Sequence, residues 1–358
     1  MIPLYKPYMP NALPELDNIL HSEHFAYSKW GKIFEDKLQE FIGCRNLLSI
    51  NSYFSAFQIA FSVLNLKSGD EVIVSPMSCL ASTQPLQTYG LKIIWADIDP
   101  HTGTLDPIDV KCKITDKVKL IIHNHFCGYI GYVDEINTIG KEYGIPIIDD
   151  CIEAFGSEYK KKCIGNFGTD ITVYSFQTVR LPNVIEGGAI SFTDKKLYDK
   201  SLLVRDFGIN RNQFRDENNE ISVKYDVTIP GYGATLNELN SYIGFCQMRE
   251  ISKLLEIQRE NANSWNSSIE SKFELLNKRN EVLPNYWIYG ILSDNKVDDM
   301  LSFRSHGFYA SGVHFPNNYY SVFGNKVFLK GVDDFYSRFI AIPSGWWVDS
   351  AIIRKEYL

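Results

Sequence analysis

Two acidic residues follow an apolar run near the middle of the chain, where they could bind a ligand or move a proton. Asp150 ends the run that begins at Ile145, and Glu153 lies three residues further on. Open α/β sheets place ligand-binding groups at the carboxyl ends of their strands, so both carboxylates are candidate site residues. An aspartate at a strand end can also cap the following turn, and the sequence alone leaves both interpretations of Asp150 open.

A basic residue, Arg180, lies in a loop between two apolar segments, 171–176 and 188–192, which we interpret as buried strands. Its guanidinium cannot form a Schiff base and stays protonated, so it is a poor proton shuttle. If Arg180 turns into a pocket beside Asp150 and Glu153, it needs an anionic partner, because an unpaired buried charge costs several kcal/mol. We therefore expect Arg180 to form an ion pair with Asp150 or Glu153.

A histidine pair lies on another apolar run. His123 and His125 alternate along it and would share one face of a strand. Two imidazoles at this spacing suggest a metal site, but a zinc ion takes at least three protein ligands and no third is evident in the sequence. We therefore expect no metal site in this chain.

Short apolar runs alternate with helical patterns, and these elements would position the candidate side chains. The runs are rich in β-branched residues, as buried parallel strands are, and they span 71–75, 92–96, 118–122 and 145–148. Stretches with helical spacing of apolar residues, 82–89 and 133–143, separate several of them. This alternation predicts an open α/β sheet with mostly parallel strands.

The pattern changes after about residue 210, because 210–220 is polar and 236–263 reads as one long helix or a kinked pair. The remainder of the chain mixes short strands and helices and is rich in aromatic residues. We therefore predict a large α/β domain with an N-terminal arm over 1–240. A long helix and a small α+β domain would occupy 241–358.

Composition limits the classes of partner and compartment. The formal net charge is −7 and the pI is about 5.6, so no basic face for nucleic acid or an anionic membrane is expected. The seven cysteines include no C-x-x-C pair and lie mostly in apolar runs, which indicates free thiols in a reducing cytoplasm. The N-terminus lacks the build of a signal peptide, and no apolar run reaches the ~20 residues that span a bilayer.

Short motifs follow one another over most of the chain. They include Ile2-Pro-Leu-Tyr-Lys-Pro, Gly69-Asp-Glu-Val-Ile-Val, Ala96-Asp-Ile-Asp, His125-Phe-Cys-Gly, Ser175-Phe, Glu186-Gly-Gly and Asp206-Phe-Gly-Ile-Asn. Their order and spacing resemble the DegT/DnrJ/StrS-type aminotransferases, a pyridoxal phosphate (PLP) family that acts on nucleotide-linked keto-sugars. The resemblance implies an aspartate-aminotransferase-like (fold type I) large domain with a mostly parallel seven-stranded sheet, a small C-terminal domain, and a homodimer with its sites at the subunit boundary.

The resemblance also implies roles for three of the candidate residues. Asp150 would pair with the PLP ring nitrogen, and Glu153 would lie near the phenolic oxygen, where the family usually has glutamine. His314 belongs to a segment that matches the family's small domain near the sugar site. We interpret it as a candidate substrate contact, with a packed loop histidine as the alternative.

Several cofactor positions depart from the family pattern. Arg180 stands in the place of the lysine that holds PLP. The phosphate cradle holds Ser52-Tyr-Phe-Ser55, so only Ser55 and Ser175 remain as side-chain donors and two large rings enter the cradle. Cys79 replaces the usual stacking ring, and Gly233 replaces an asparagine that reaches the neighbouring subunit's phosphate.

These departures leave two hypotheses of different class. In the first, the chain keeps the fold without the cofactor, and either binds a nucleotide sugar or a sister enzyme in surface-polysaccharide biosynthesis or performs a chemistry that needs no pyridoxal. In the second, it is an aminotransferase or dehydratase that holds PLP or pyridoxamine phosphate (PMP) non-covalently on a nucleotide-linked keto-sugar. The sequence leaves open whether the chain is an enzyme.

Overall fold

The computed structural model of the chain describes residues 1–357. Its helices are α1 (Leu16–Leu20), α2 (Lys29–Ile42), α3 (Tyr53–Val63), α4 (Leu80–Tyr89), α5 (Pro107–Lys113), α6 (Val133–Tyr143), α7 (Lys195–Arg205), α8 (Arg211–Phe214), α9 (Glu238–Met248), α10 (Ile251–Ile269), α11 (Lys296–Ser305), α12 (Lys330–Arg338) and α13 (Ser350–Tyr357). Its strands are β1 (Leu47–Ile50), β2 (Glu71–Val74), β3 (Lys92–Trp95), β4 (Val118–Asn124), β5 (Ile147–Cys151), β6 (Glu158–Tyr159), β7 (Lys162–Cys163), β8 (Ile171–Ser175), β9 (Gly188–Phe192), β10 (Glu274–Leu275), β11 (Val282–Leu283), β12 (Tyr289–Leu292) and β13 (Phe339–Ile342).

A seven-stranded sheet forms the centre of the fold, with the strand order β1-β9-β8-β5-β4-β2-β3. Neighbouring strands from β8 to β3 pair in parallel, and only β9 runs against the others. Apart from the edge strand β3, the strands are buried along nearly their whole length, because helices cover both faces of such a sheet. The predicted mostly parallel seven-stranded sheet is confirmed.

Three central strands bring the sequence candidates to one edge of this sheet. β4, β5 and β8 lie side by side, with Asn124 opposite Asp150 and Cys151 opposite Tyr174 in the register. Parallel strands end at the same edge, so the turns after Asn124, Cys151 and Ser175 converge there. This edge therefore collects groups that are far apart in the sequence.

The C-terminal part builds a smaller antiparallel sheet with the strand order β10-β12-β13. Its core contains Trp265 from α10, Phe303 from α11 and Ile353 from α13. The stretch 236–263, predicted as one long helix or a kinked pair, is a pair of helices, α9 and α10, that meet at Arg249 and Glu250. The predicted domain boundary at residue 240 falls within α9 and stays a prediction.

The N-terminal arm runs along the small sheet. Ile2 forms a bridge with Phe308, and the Trp347 indole N–H donates to the carbonyl of Pro3 at 2.9 Å. The ring of Tyr5 stacks on Trp287, with ring centroids 4.6 Å apart. Residues from the two ends of the chain therefore pack together.

All seven cysteines are free, as predicted, although Cys112 is exposed. Within residues 1–357, every helix is too short or too polar to span a lipid bilayer.

A buried ion pair joins α2, β1 and α7 behind the sheet. The Glu35 carboxylate accepts hydrogen bonds from Arg205 Nη1 at 2.7 Å and from the backbone N–H of Ser49 at 2.8 Å. The Tyr27 hydroxyl donates to the same carboxylate at 2.6 Å, and its ring lies under the guanidinium. Both charges are almost fully buried, so each depends on the other.

We expect the Arg205→Met substitution to lower the free energy of unfolding by roughly 3–5 kcal/mol, because it leaves the Glu35 carboxylate buried without its cation. Urea unfolding of the purified variant measures this loss. The matched control is Arg211→Met, since Arg211 pairs with Asp206 on the surface and its loss should cost less than about 1 kcal/mol. Equal losses in the two variants would contradict the assignment.

Candidate functional site

Asp150 lies at the end of β5 and is fully buried. Its carboxylate accepts hydrogen bonds from the Tyr53 hydroxyl, from Asn124 Nδ2 at 2.9 Å and from the backbone N–H of Ile152 at 3.1 Å. Burial raises the pKa of Asp150, and the hydrogen bonds from Ser82, Tyr53 and Asn124 oppose that shift. The carboxylate is therefore held by groups of its own chain.

Tyr53 is the first residue of α3 and turns its ring into the protein, where it is 1% exposed. Its hydroxyl also contacts Ser82 Oγ at 3.1 Å. The helix start is closed by Ser52, whose side chain accepts from the backbone N–H of Ser55 at 3.1 Å. The expectation that Phe54 also fills the cradle is wrong, because its ring is exposed on the outer side of the helix.

Arg180 turns inward and is 7% exposed. Its Nη2 lies 3.5 Å from Glu153 Oε1, and its guanidinium lies 4.3 Å from the centroid of the Trp287 ring. The predicted ion pair is confirmed with Glu153, whereas Asp150 has other partners. Trp287 is fixed in turn by stacking on Tyr5 and by an indole hydrogen bond to the carbonyl of Val179.

Glu153 is the charge that gathers the other groups. Its Oε1 contacts His314 Nε2 at 2.7 Å, and its Oε2 accepts from the backbone N–H of Cys127 at 2.8 Å. Burial alone would raise the pKa of Glu153, but the adjacent His314 and Arg180 lower it to about 2. His314 therefore contacts the same carboxylate as Arg180, and its role as a substrate contact stays a prediction.

The residues at this edge do not fit the PLP that the family resemblance implies. The carboxylate assigned to the PLP ring nitrogen already accepts a hydrogen bond from Tyr53. The cavity that remains beside Arg180 measures about 10 Å³, the room of a single water molecule. Its lining consists of Ile152, Glu153, Phe155, Ser175, Arg180, Leu181, Gln258, Asn285 and Trp287.

Some of the other predicted cofactor contacts lie close to Glu153 and Arg180, and others do not. Ser175 is buried at the end of β8 and lines the small cavity. Cys79 is half-buried at the start of α4, where burial and the nearby Glu153 charge raise the pKa of its thiol. Ser55 is bonded to Ser52, and Gly233 is exposed and packed against the Phe207 ring. Gly233 therefore lies outside this site within the single chain.

The histidine pair lies beside a third possible metal ligand, Asp149, which the sequence analysis did not identify. His123 and His125 lie 3.3 and 3.2 Å from Asp149 Oδ1, and all three side chains are buried. Burial lowers the pKa of His123 to about 4. Since His125 Nδ1 accepts the N–H of Gly131 at 3.1 Å, the N–H of this ring lies on Nε2, the atom nearest to Asp149.

Several residues of the site were not predicted from the sequence. Asn124, Cys127 and Trp287 contact the candidate residues Asp150, Glu153 and Arg180, and Tyr5 stacks on Trp287. A strand-end polar residue such as Asn124 could have been found by the rule that located Asp150. Tyr5 and Trp287 carry no such signal, because single aromatic residues are common in any core.

Comparison with known proteins places the whole chain in one group. Residues 9–352 match the family model described as the DegT/DnrJ/EryC1/StrS aminotransferase family. The GDP-perosamine synthase of Escherichia coli O157:H7 is 28% identical over 307 residues, which cover 85% of this chain and 81% of that protein. The sugar aminotransferase CalS13 from Micromonospora echinospora superimposes with a TM-score of 0.92 at 25% identity over 99% of both chains, which confirms the predicted fold type I.

A further solved structure adds a cofactor to the comparison. The E coli GDP-4-keto-6-deoxy-D-mannose-3-dehydratase, with bound hydrated PLP, superimposes with a TM-score of 0.86 at 20% identity. The match covers 100% of this chain and 99% of that chain. At this identity the likeness concerns the fold.

The Glu153 ion pair predicts a specific loss of stability in acid. The pKa of Glu153 falls from 4.5 to about 2 on folding. The ionised carboxylate therefore contributes to the free energy of unfolding above pH 4.5, and this contribution is lost as the pH falls toward 2. We expect the difference in unfolding free energy between wild type and Glu153→Gln to shrink by roughly 2 kcal/mol between pH 5 and pH 3, measured by urea unfolding. Glu40→Gln, which alters an exposed pair with Lys37, is the control and should show no such change. A constant difference for Glu153→Gln over this range would refute the assignment.

Proposed function

The chain belongs to the DegT/DnrJ/EryC1/StrS aminotransferase family, and we propose that it serves nucleotide-sugar biosynthesis without a PLP Schiff base. One observation carries this proposal. Tyr53 and Arg180 of the chain itself contact the two carboxylates, Asp150 and Glu153, that the family resemblance assigns to the cofactor.

The chemistry of Arg180 and the burial of Tyr53 both argue against a PLP Schiff base in this place. An arginine offers neither the nucleophilic amine nor the titrating group that a lysine supplies in this fold. Moving the Tyr53 ring out of the protein would expose on the order of 200 Å² of surface and cost about 5 kcal/mol. The Asp150 carboxylate would lose a hydrogen bond at the same time. A ligand would have to offset both costs before it could occupy this place.

The proposed ligand is a nucleotide-linked sugar, or else a sister enzyme of a surface-polysaccharide pathway in the cytoplasm. His314, which the family resemblance places near the sugar site, lies at the domain boundary against Glu153 and keeps part of its side chain accessible. The relatives named above include GDP-linked sugar enzymes, which supports a ligand of this class. We propose that two copies of the chain assemble as a homodimer with this boundary at their interface.

A second candidate function is non-covalent PLP or PMP chemistry on a nucleotide-linked keto-sugar. The retention of Asp150, buried at the carboxyl end of the central strand β5, favours it. The related dehydratase structure with hydrated PLP favours it as well. The hydrogen bond from the Tyr53 hydroxyl to Asp150 argues against this candidate, because it would have to break before the cofactor could pair with Asp150.

Titration with PLP and PMP separates the two candidates. We expect the wild-type protein to show neither a saturable change in near-ultraviolet absorbance nor a rise in melting temperature. The reason is that Tyr53 and Arg180 occupy the space that the cofactor would need. Arg180→Lys alone should behave in the same way, whereas Tyr53→Gly combined with Arg180→Lys should gain measurable binding. Saturable binding by the wild-type protein would establish the second candidate.

Calorimetry with a GDP-linked and a UDP-linked sugar tests the proposed ligand. We expect one of them to bind, and His314→Ala to weaken that binding at least ~10-fold, the equivalent of one lost hydrogen bond of about 1.4 kcal/mol. His24→Ala, which changes an exposed histidine of the N-terminal segment, should leave the affinity unchanged. The nucleotide-sugar assignment is wrong if neither compound binds or if both variants behave alike.

A further inference from the structure

We propose that Cys127, Glu153 and His314 form a binding site for a divalent transition metal of the zinc class. One ligand atom from each residue, a sulfur, a carboxylate oxygen and an imidazole nitrogen, lies within 4.8 Å of the other two. Thiolate, imidazole and carboxylate are the three kinds of protein ligand that zinc takes.

Three separate parts of the fold deliver these ligands. Cys127 lies in the turn after β4, Glu153 lies in the turn after β5, and His314 comes from the C-terminal part. Cys127 is fully buried and Glu153 is 3% exposed, so the donor atoms are shielded from bulk water. The hydrogen bond from the Cys127 N–H to Glu153 Oε2 fixes these two residues relative to each other. The site is therefore largely preformed.

Metal binding would require a small rearrangement and a defined release of protons. His314 Nε2 and Glu153 Oε1 are 2.7 Å apart, whereas two ligand atoms about 2.0 Å from a tetrahedral ion lie roughly 3.3 Å apart. The ion would displace the proton of the Cys127 thiol to solvent. His314 Nε2 must present its lone pair while Nδ1 carries the N–H, so an imidazolium would release its Nε2 proton to solvent, and a neutral ring protonated on Nε2 would move that proton to Nδ1 without net release.

The nearby Arg180 is compatible with this charge balance. A thiolate and a carboxylate together offset the charge of a divalent ion, so the guanidinium faces a neutral centre rather than a bare cation. Its distance of 3.5 Å from Glu153 Oε1 is longer than a hydrogen bond, and its contact with Trp287 is independent of Glu153. Arg180 would keep its contact with Trp287, but it would share the Glu153 charge with the ion, and metal binding would have to offset that cost.

The coordination would be incomplete with protein ligands alone. Three protein ligands leave a tetrahedral ion with one open position, as in catalytic rather than structural zinc sites. The cavity of about 10 Å³ that Glu153 and Arg180 line has room for one water molecule on the Glu153 side of the cluster.

The other cluster with three donors, His123, His125 and Asp149, does not offer such a site. His125 Nδ1 accepts the Gly131 N–H, so His125 Nε2 carries a proton and has no lone pair for a metal. A metal-bound histidine normally donates a hydrogen bond from its second nitrogen, which is the reverse arrangement. The geometry therefore favours the Cys127 cluster.

Metal analysis tests the proposal on the full-length protein. After dialysis against ZnCl2 and removal of free ion, plasma mass spectrometry should find about one zinc per chain in the wild type. Cys127→Ser and His314→Gln should bind zinc at least ~10-fold more weakly. Cys79→Ser, which changes a half-buried thiol close to the same charges, is the matched control and should keep the zinc.

Cobalt provides a readout that identifies a thiolate ligand directly in the wild-type protein. CoCl2 added to the metal-free wild type and Cys79→Ser proteins should give thiolate-to-cobalt absorbance, and Cys127→Ser should lack it. The absence of both zinc and this absorbance in the wild type would overturn the proposal. An absorbance that survives Cys127→Ser but disappears in Cys79→Ser would overturn it too. Both proposals use His314, but sugar binding is measured by calorimetry and zinc by mass spectrometry, so failure of one is distinguishable from failure of the other.

Discussion

The carboxylate of Glu153 is the interaction on which this edge of the sheet depends. It is the anion that balances Arg180, it positions His314, and it holds the backbone N–H of Cys127. A carboxylate without these partners could not stay ionised in such a buried place. The partners in turn come from the loop after β8, from the C-terminal part and from the turn after β4. One charge therefore connects three segments that are far apart in the sequence.

The sheet and the Arg180 pair could be predicted because each follows from a local or a general rule. Runs of β-branched residues at strand length specify buried parallel strands wherever they occur. An arginine in an apolar setting must find an acid, and only two candidates lay at the neighbouring strand end. The choice of Glu153 over Asp150 could not be made from the sequence, because it depends on Tyr53 having already engaged Asp150.

The remaining contacts of the site depend on the directions in which side chains point, and these could not be predicted from the sequence. Tyr53 and Phe54 are adjacent and similar in size, yet the phase of α3 buries the first ring and exposes the second. The contact between Tyr53 and Asp150 spans 97 positions, and no spacing rule reports it. The break between α9 and α10 likewise falls at Arg249 and Glu250, without a glycine or a proline to mark it.

The contacts of the N-terminal arm determine when part of the fold can form during synthesis on the ribosome. Tyr5 is among the first residues to be synthesised, but Trp287, on which it stacks, emerges after four-fifths of the chain. The contact of Pro3 with Trp347 waits still longer. Domains generally fold in order as they emerge, so the sheet can form while the arm has no partner. Closure of the site around Arg180 is therefore a late event, and a nascent chain that stops short of Trp287 would leave the guanidinium without its aromatic support.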